Sequence, residues 1–114
     1  MQATYPLIFA ALLFCVGIYG VLSRRNAVLV LMSVEMMLAS VTINLVAFGE
    51  IASSPAASML ARPAGVDPLL TGQVFALFVI AVGAAEVGVG LAIILLLYRN
   101  RASVNIDEAD LMKY

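Results

Sequence analysis

The sequence predicts an all-α membrane protein of three transmembrane helices, with its N-terminus outside and its C-terminus cytoplasmic. Three observations carry this. The chain is 64% apolar with a mean hydropathy of +1.10, and a soluble domain of 114 residues cannot hide that much apolar surface. The apolar residues gather into three runs, about 6–22, 27–48 and 70–98, each near the ~20 residues that a helix needs to cross ~30 Å of hydrocarbon. The short alternating segments of a barrel are absent, so helices are the spanning form. Residues 1–101 read as one three-helix domain, with an outer loop at 49–69 and a cytoplasmic tail at 102–114.

The first run has no Lys or Arg before Arg24 and no small-residue cleavage site ahead of the Arg pair. It therefore reads as a retained span rather than a signal peptide. Cys15 lies within it and reads as a small buried hydrophobe. Ser23-Arg24-Arg25-Asn26 then makes a polar connection so short that the first two helices must be antiparallel neighbours. The second run carries Glu35 and, two turns on, Thr42 on the same face, with Asn44 on the opposite one. Met32, Met36 and Met37 read as packing residues. Ser53-Ser54-Pro55, Pro63, Gly65 and Asp67-Pro68 punctuate the loop that follows.

The third run, longer than a membrane requires, carries Glu86 near its middle. Gly83 and Gly90 lie on its side, one turn below and one turn above, and small residues continue at Ala81, Ala84, Ala85, Gly88 and Ala92, a spacing that lets helices approach closely or leaves room for water. The tail is acidic and reads first as a solvated extension; Ile106, Leu111 and Met112 are the residues by which it would dock. Arg24, Arg25, Arg99 and Arg101 flank one side of the membrane and only Arg62 the other, which puts the Arg-Arg hairpin and the C-terminus in the cytoplasm.

A net charge of −1 argues against a nucleic-acid partner, and the chain has no His. With a single Cys and no glycine-rich phosphate loop or nucleophile–base pair, it holds no metal or redox cofactor by itself. The chemistry rests on Glu35 and Glu86. An acidic residue at the centre of a span costs roughly 2.5–3.5 kcal/mol on insertion scales, so a chain that carries two has a use for them. Glu35 lies roughly 15 Å and Glu86 roughly 20 Å along their helices from the Arg-rich side. A pair of carboxyls at similar depth, able to be neutral when dry and charged when a cation or water approaches, is what a proton relay needs. Thr42 is a candidate water site beside Glu35. Arg24 and Arg25 are topology determinants, with a second role open to them in tuning the proton entry side or contacting an acidic partner loop.

Gly17-x-x-Gly20-x-Leu22-x-Arg24-Arg25-Asn26, followed by Leu31-Met32-x-x-Glu35-x-Met37-Leu38, resembles the K subunit family of proton-translocating NADH-quinone oxidoreductase, respiratory complex I. Gly72-Gln73-Val-Phe-Ala-Leu-Phe-Val-Ile80, Ala84-Ala85-Glu86-Val87 and Gly90-Leu91-Ala92 are similar to that family's third helix. The resemblance covers residues 6–101 apart from 49–68. It departs from the family at Ala39-Ser40, in a longer outer loop and in the acidic tail. It implies three transmembrane helices in a bacterial inner (cell) membrane and a multi-pass translocase subunit that couples electron transfer to proton translocation. Glu35 and Glu86 match the membrane carboxylates of proton transfer, and Arg24 and Arg25 a basic pair linked to activity. The implied partners are other membrane subunits, including antiporter-like and quinone-proximal ones. NADH, FMN, iron–sulfur clusters and quinone belong to other subunits.

Three other readings compete. The C-type subunit of a multisubunit cation/proton antiporter shares the hairpin but lacks the paired membrane Glu. A small proton-coupled exporter has four spans, with a Glu in the first. A purely structural assembly subunit, in which each protonated Glu hydrogen-bonds a neighbouring helix, is the remaining alternative.

Overall fold

The computed structural model describes residues 4–57, 65–102 and 104–108. It contains α1 (Thr4–Ser23), α2 (Ala27–Ser53) and α3 (Pro68–Arg101), followed by a 3-10 turn at Ile106–Glu108. All three helices are long and apolar enough to cross a membrane, as the composition requires. Each is longer than its apolar run, because a helix continues past the hydrocarbon until a cap stops it. Asn26 caps α2, its side-chain Oδ1 accepting from Val28 N at 2.9 Å. Asp67 caps α3, accepting from Leu69 N at 3.0 Å, with Pro68 in the first turn where no backbone donor is needed. The second connection is shorter than expected, because α2 runs on to Ser53 and carries Glu50 with it. With 34 residues, α3 spans roughly 50 Å, so it tilts in the bilayer or projects from it.

The second helix is central, with α1 on one face and α3 on another. Small residues let the backbones close up, as expected where lipid is as apolar as Leu and helix association relies on close packing. On the α1 side, a Cβ on Gly17 would stand 2.5 Å from Met37 Cγ and 3.0 Å from the Ser33 carbonyl oxygen. Ser33 and Ser40 are buried, yet neither hydroxyl is stranded: they donate to Leu29 O at 2.8 Å and Met37 O at 2.6 Å.

The packing of α2 on α3 is also close. Gly72 fits under α2 so tightly that a Cβ there would lie 2.6 Å from Leu45 O and 3.1 Å from Gly49 Cα. Further along, Gly83 faces Glu35 and Leu38, and a Cβ on Gly90 would meet Leu31 Cδ1 at 2.8 Å. As α2 is followed toward Gly49, its partners on α3 recede toward Gly72 in equal steps. This is a single antiparallel register. The large apolar side chains, among them Phe9, Leu12, Tyr19, Leu22, Leu77, Phe78 and Leu95, point outward, the reverse of a soluble fold. Cys15 is among the exposed residues, contrary to its expected burial; α1 covers α2 with Gly17 and its neighbours on that stripe, which leaves Cys15 on the outer one.

The tail corrects another expectation. Ala102 adopts the left-handed conformation (φ 53°) and turns the chain back. Residues 104–108 then dock on the α1–α2 hairpin. Ala27 N donates to Val104 O at 2.9 Å, Ile106 N donates to Arg25 O at 3.0 Å, and Arg25 Nε lies 3.4 Å from Asp107 Oδ2. Ile106, itself exposed, lines an apolar cavity between α2 and α3 with Ala27, Leu31, Gly90 and Ile94. Leu111 and Met112 lie outside the described residues.

Two outcomes are expected in thermal melts of the assembled protein. Gly72→Ala places a methyl against backbone and should destabilise by about 1–3 kcal/mol, whereas Gly88→Ala, with nothing within 4 Å, should be near neutral. Asp107→Asn breaks an ion pair whose side chains are 80% and 61% exposed, and should cost less than about 1 kcal/mol.

Candidate intramembrane carboxylate site

Glu35 sits on the face of α2 that meets α3. Leu31 packs at Gly90, and one turn further along α2 is Glu35, as Glu86 is one turn back along α3. The antiparallel register therefore sets the two carboxylates at the same level. Their matched depth, expected from counting residues to the Arg-rich side, becomes a property of helix packing.

Being level does not put them in one chamber. Glu35 is half-buried and lines a cavity of about 290 Å³ with Leu38, Ala39, Thr42, Val79, Ile80 and Gly83. Glu86 is exposed and lines a shallower hollow with Val82, Ala85, Val89, Gly90 and Ile93. The two linings have no residue in common. Gly83 stands between them: a Cβ there would lie 3.5 Å from Glu35 Oε1 and 3.6 Å from Oε2. Glu35 is thus aimed at the bare backbone of α3, one turn from Glu86, while Glu86 is turned toward whatever lies beside the chain.

The expected bed of small residues around Glu86 divides accordingly. Gly83 and Gly90 belong to the α2 contact, while Ala81, Ala84, Ala85, Gly88 and Ala92 are exposed. Helical spacing puts only Gly83 and Gly90 on the side of Glu86, and it does not say which stripe the neighbouring helix takes. Thr42 lines the same cavity as Glu35, on the face that helical spacing gives them both. Its hydroxyl donates to Ala39 O at 2.7 Å, which leaves its oxygen lone pairs for a water. Asn44, expected to bond another helix, is half-buried, and no partner for it is found among the described residues.

Arg24 and Arg25 stand exposed at the hairpin, away from both carboxylates. Arg25 is engaged by Asp107. Two residues escaped the sequence reading. Gly83 as the neighbour of Glu35 follows only from the register. Glu50 lines a second cavity with Thr42; helical periodicity carried past residue 48 would have found it.

The chain matches the family described as NADH-ubiquinone/plastoquinone oxidoreductase chain 4L over residues 5–114. It is 51% identical to an NADH-quinone oxidoreductase subunit K of Brevibacillus brevis, over 94% of this chain and 91% of the relative. It is 50% identical to a subunit K of a Geobacillus species, over 95% of this chain and 91% of that one. With an NAD(P)H-quinone oxidoreductase subunit 4L of a Nostoc species it shares 47% identity over the full length of both. The tail, which the motif resemblance set apart as an addition, lies within the matched length.

Gly83→Leu would fill the space in front of Glu35, whereas Gly83→Ala adds a methyl at ordinary contact distance. In membranes treated with a hydrophobic carbodiimide, mass spectrometry should show Glu35 modified about tenfold more slowly in Gly83→Leu, little change in Gly83→Ala, and Glu86 altered less than Glu35 in both.

Proposed function

The chain belongs to the NADH-ubiquinone/plastoquinone oxidoreductase chain 4L family, and on that premise we propose that it is the membrane-embedded proton-relay subunit of an NADH-quinone oxidoreductase, coupling electron transfer to proton translocation. The observation that carries this reading is the pair Glu35 and Glu86, held level by the α2–α3 register and facing separate cavities. Electron transfer takes place in other subunits, which hold NADH, FMN, iron–sulfur clusters and quinone. This chain supplies groups that take up and release protons.

In this reading Glu86, exposed on α3, exchanges protons with a neighbouring membrane subunit. Glu35, half-buried behind Gly83, exchanges them within the chain, with a water held at Thr42. A change of field or hydration beside either carboxyl shifts its proton occupancy, which is the lever that distant redox chemistry needs. The exposed apolar faces of α1 and α3 are where the quinone-proximal and antiporter-like subunits and lipid would pack. The Arg24–Arg25 hairpin lies in the cytoplasm by the positive-inside rule, and the host membrane is the bacterial cell membrane. Arg25 joins the hairpin to the tail through Asp107, and both arginines tune proton entry on that side.

Glu35→Gln and Glu86→Gln, made singly, should each lower NADH-driven proton pumping in membrane vesicles by about tenfold while the complex still assembles; Asp at either position should retain part of the rate. Unchanged pumping and unchanged quinone-coupled turnover in Glu86→Gln would remove that residue from the relay.

A further inference from the structure

The cavity in front of Glu35 does not stand alone. A second cavity, of about 330 Å³, lies against it on the side away from the Arg24–Arg25 hairpin, lined by Pro6, Ile43, Val46, Glu50 and Ala76 among others. Thr42 and Ile80 line both cavities. Among the described residues, the polar side chains on the two linings are Glu35, Thr42 and Glu50, all from α2, spaced seven and eight residues apart. Two turns of helix separate each from the next, a rise of roughly 10–12 Å.

We infer that Glu50 is the outer terminus of a water-filled half-path that runs from Glu35 past Thr42 to the membrane face opposite the hairpin. This rests on the relay role of Glu35 proposed above. Three features support it. The first is room: a water occupies ~30 Å³ of liquid, so clefts of about 290 and 330 Å³, both open along one side of the chain, hold the few molecules needed to bridge each gap once a neighbouring subunit covers them. The second is partners. Buried water persists where polar groups anchor it, and each gap has an oxygen at both ends. Thr42 sits at the junction with its proton committed to Ala39 O, so it accepts from water rather than competing for acceptors. The third is the wall. Leu38, Val79, Ile80, Ile43 and Val46 are apolar and bind no water strongly, which leaves the file mobile.

The transfer balances without any co-reactant. The O–H bond of protonated Glu35 breaks as its proton passes to the first water. Each water hands on one proton, and an O–H bond forms on the Glu50 carboxylate, which releases the proton to bulk solvent. Glu86, in a separate hollow, is not part of this path.

Water access is tested on the assembled complex in sealed vesicles of both orientations, in a Cys15→Ser background. Thr42→Cys and Ile80→Cys should react with a small charged methanethiosulfonate from the side opposite the hairpin about tenfold faster than Val41→Cys, which lines neither cavity, since only a wetted thiol ionises readily. Glu50→Leu should slow both reactions, and Glu50→Gln should lower the protons pumped per NADH oxidised while Glu50→Asp restores them. Equal labelling of Thr42→Cys, Ile80→Cys and Val41→Cys, or an unchanged pumping ratio in Glu50→Gln, overturns the path. Failure of the parent reading shows separately, as normal pumping by Glu35→Gln, and the labelling pattern does not depend on it.

Discussion

The close antiparallel contact between α2 and α3 is the constraint on which the rest of this structure depends. Gly72 under Leu45 and Gly49, Gly83 under Glu35 and Leu38, and Gly90 under Leu31 allow the helices one register. A slip of one residue would rotate a Cβ into backbone at Gly72 and turn Glu35 off the interface. In a bilayer this matters more than in water. Lipid offers no hydrophobic penalty for separation, so the fit of small residues against a neighbouring helix carries the association. The register also sets the carboxylates level and leaves open backbone, rather than a side chain, in front of Glu35.

Around that contact the chain satisfies its polar groups locally. Ser33, Ser40 and Thr42 each return their hydroxyl to a carbonyl of the preceding turn. Asn26 and Asp67 cap the helix starts, and the backbone of 104–106 pairs with the hairpin. Among the described residues no fixed partner is seen for either intramembrane carboxyl, nor for Asn44. Such carboxyls respond to hydration and to nearby charge, whereas a carboxyl locked in a hydrogen-bonded network would not. The exposed ring of Phe, Leu and Tyr side chains completes the picture of a chain whose outer surface is made for lipid and neighbouring subunits.

The tail adds a mechanical element. Arg25, Asn26 and Ala27 begin α2, and residues 104–107, returning from the end of α3, are bonded to them. Both helices that carry a carboxylate are thereby tied at the same end, with Ile106 at the edge of the apolar cleft between them. The exposed ion pair contributes little to this tie, so the backbone bonds and the buried part of Ile106 hold it.

Much of this was legible in the sequence. Hydrophobic run length determined three spanning helices, because a bilayer demands about twenty apolar residues and internally bonded backbone. The four-residue Ser23–Asn26 connection determined an antiparallel hairpin, and the cost of charge in hydrocarbon marked Glu35 and Glu86. Helical periodicity alone put Thr42 beside Glu35. What the tertiary structure decided is which stripe of each helix faces its neighbour. A run that is apolar all round carries no such information, so the exposure of Cys15, the choice of Gly83 and Gly90 over the other small residues for the α2 contact and the separate cavities of the two carboxylates were not readable beforehand. Glu50 was hidden for another reason: apolar content ends at residue 48, but a helix ends where its backbone finds a cap, and α2 finds none before Ser54.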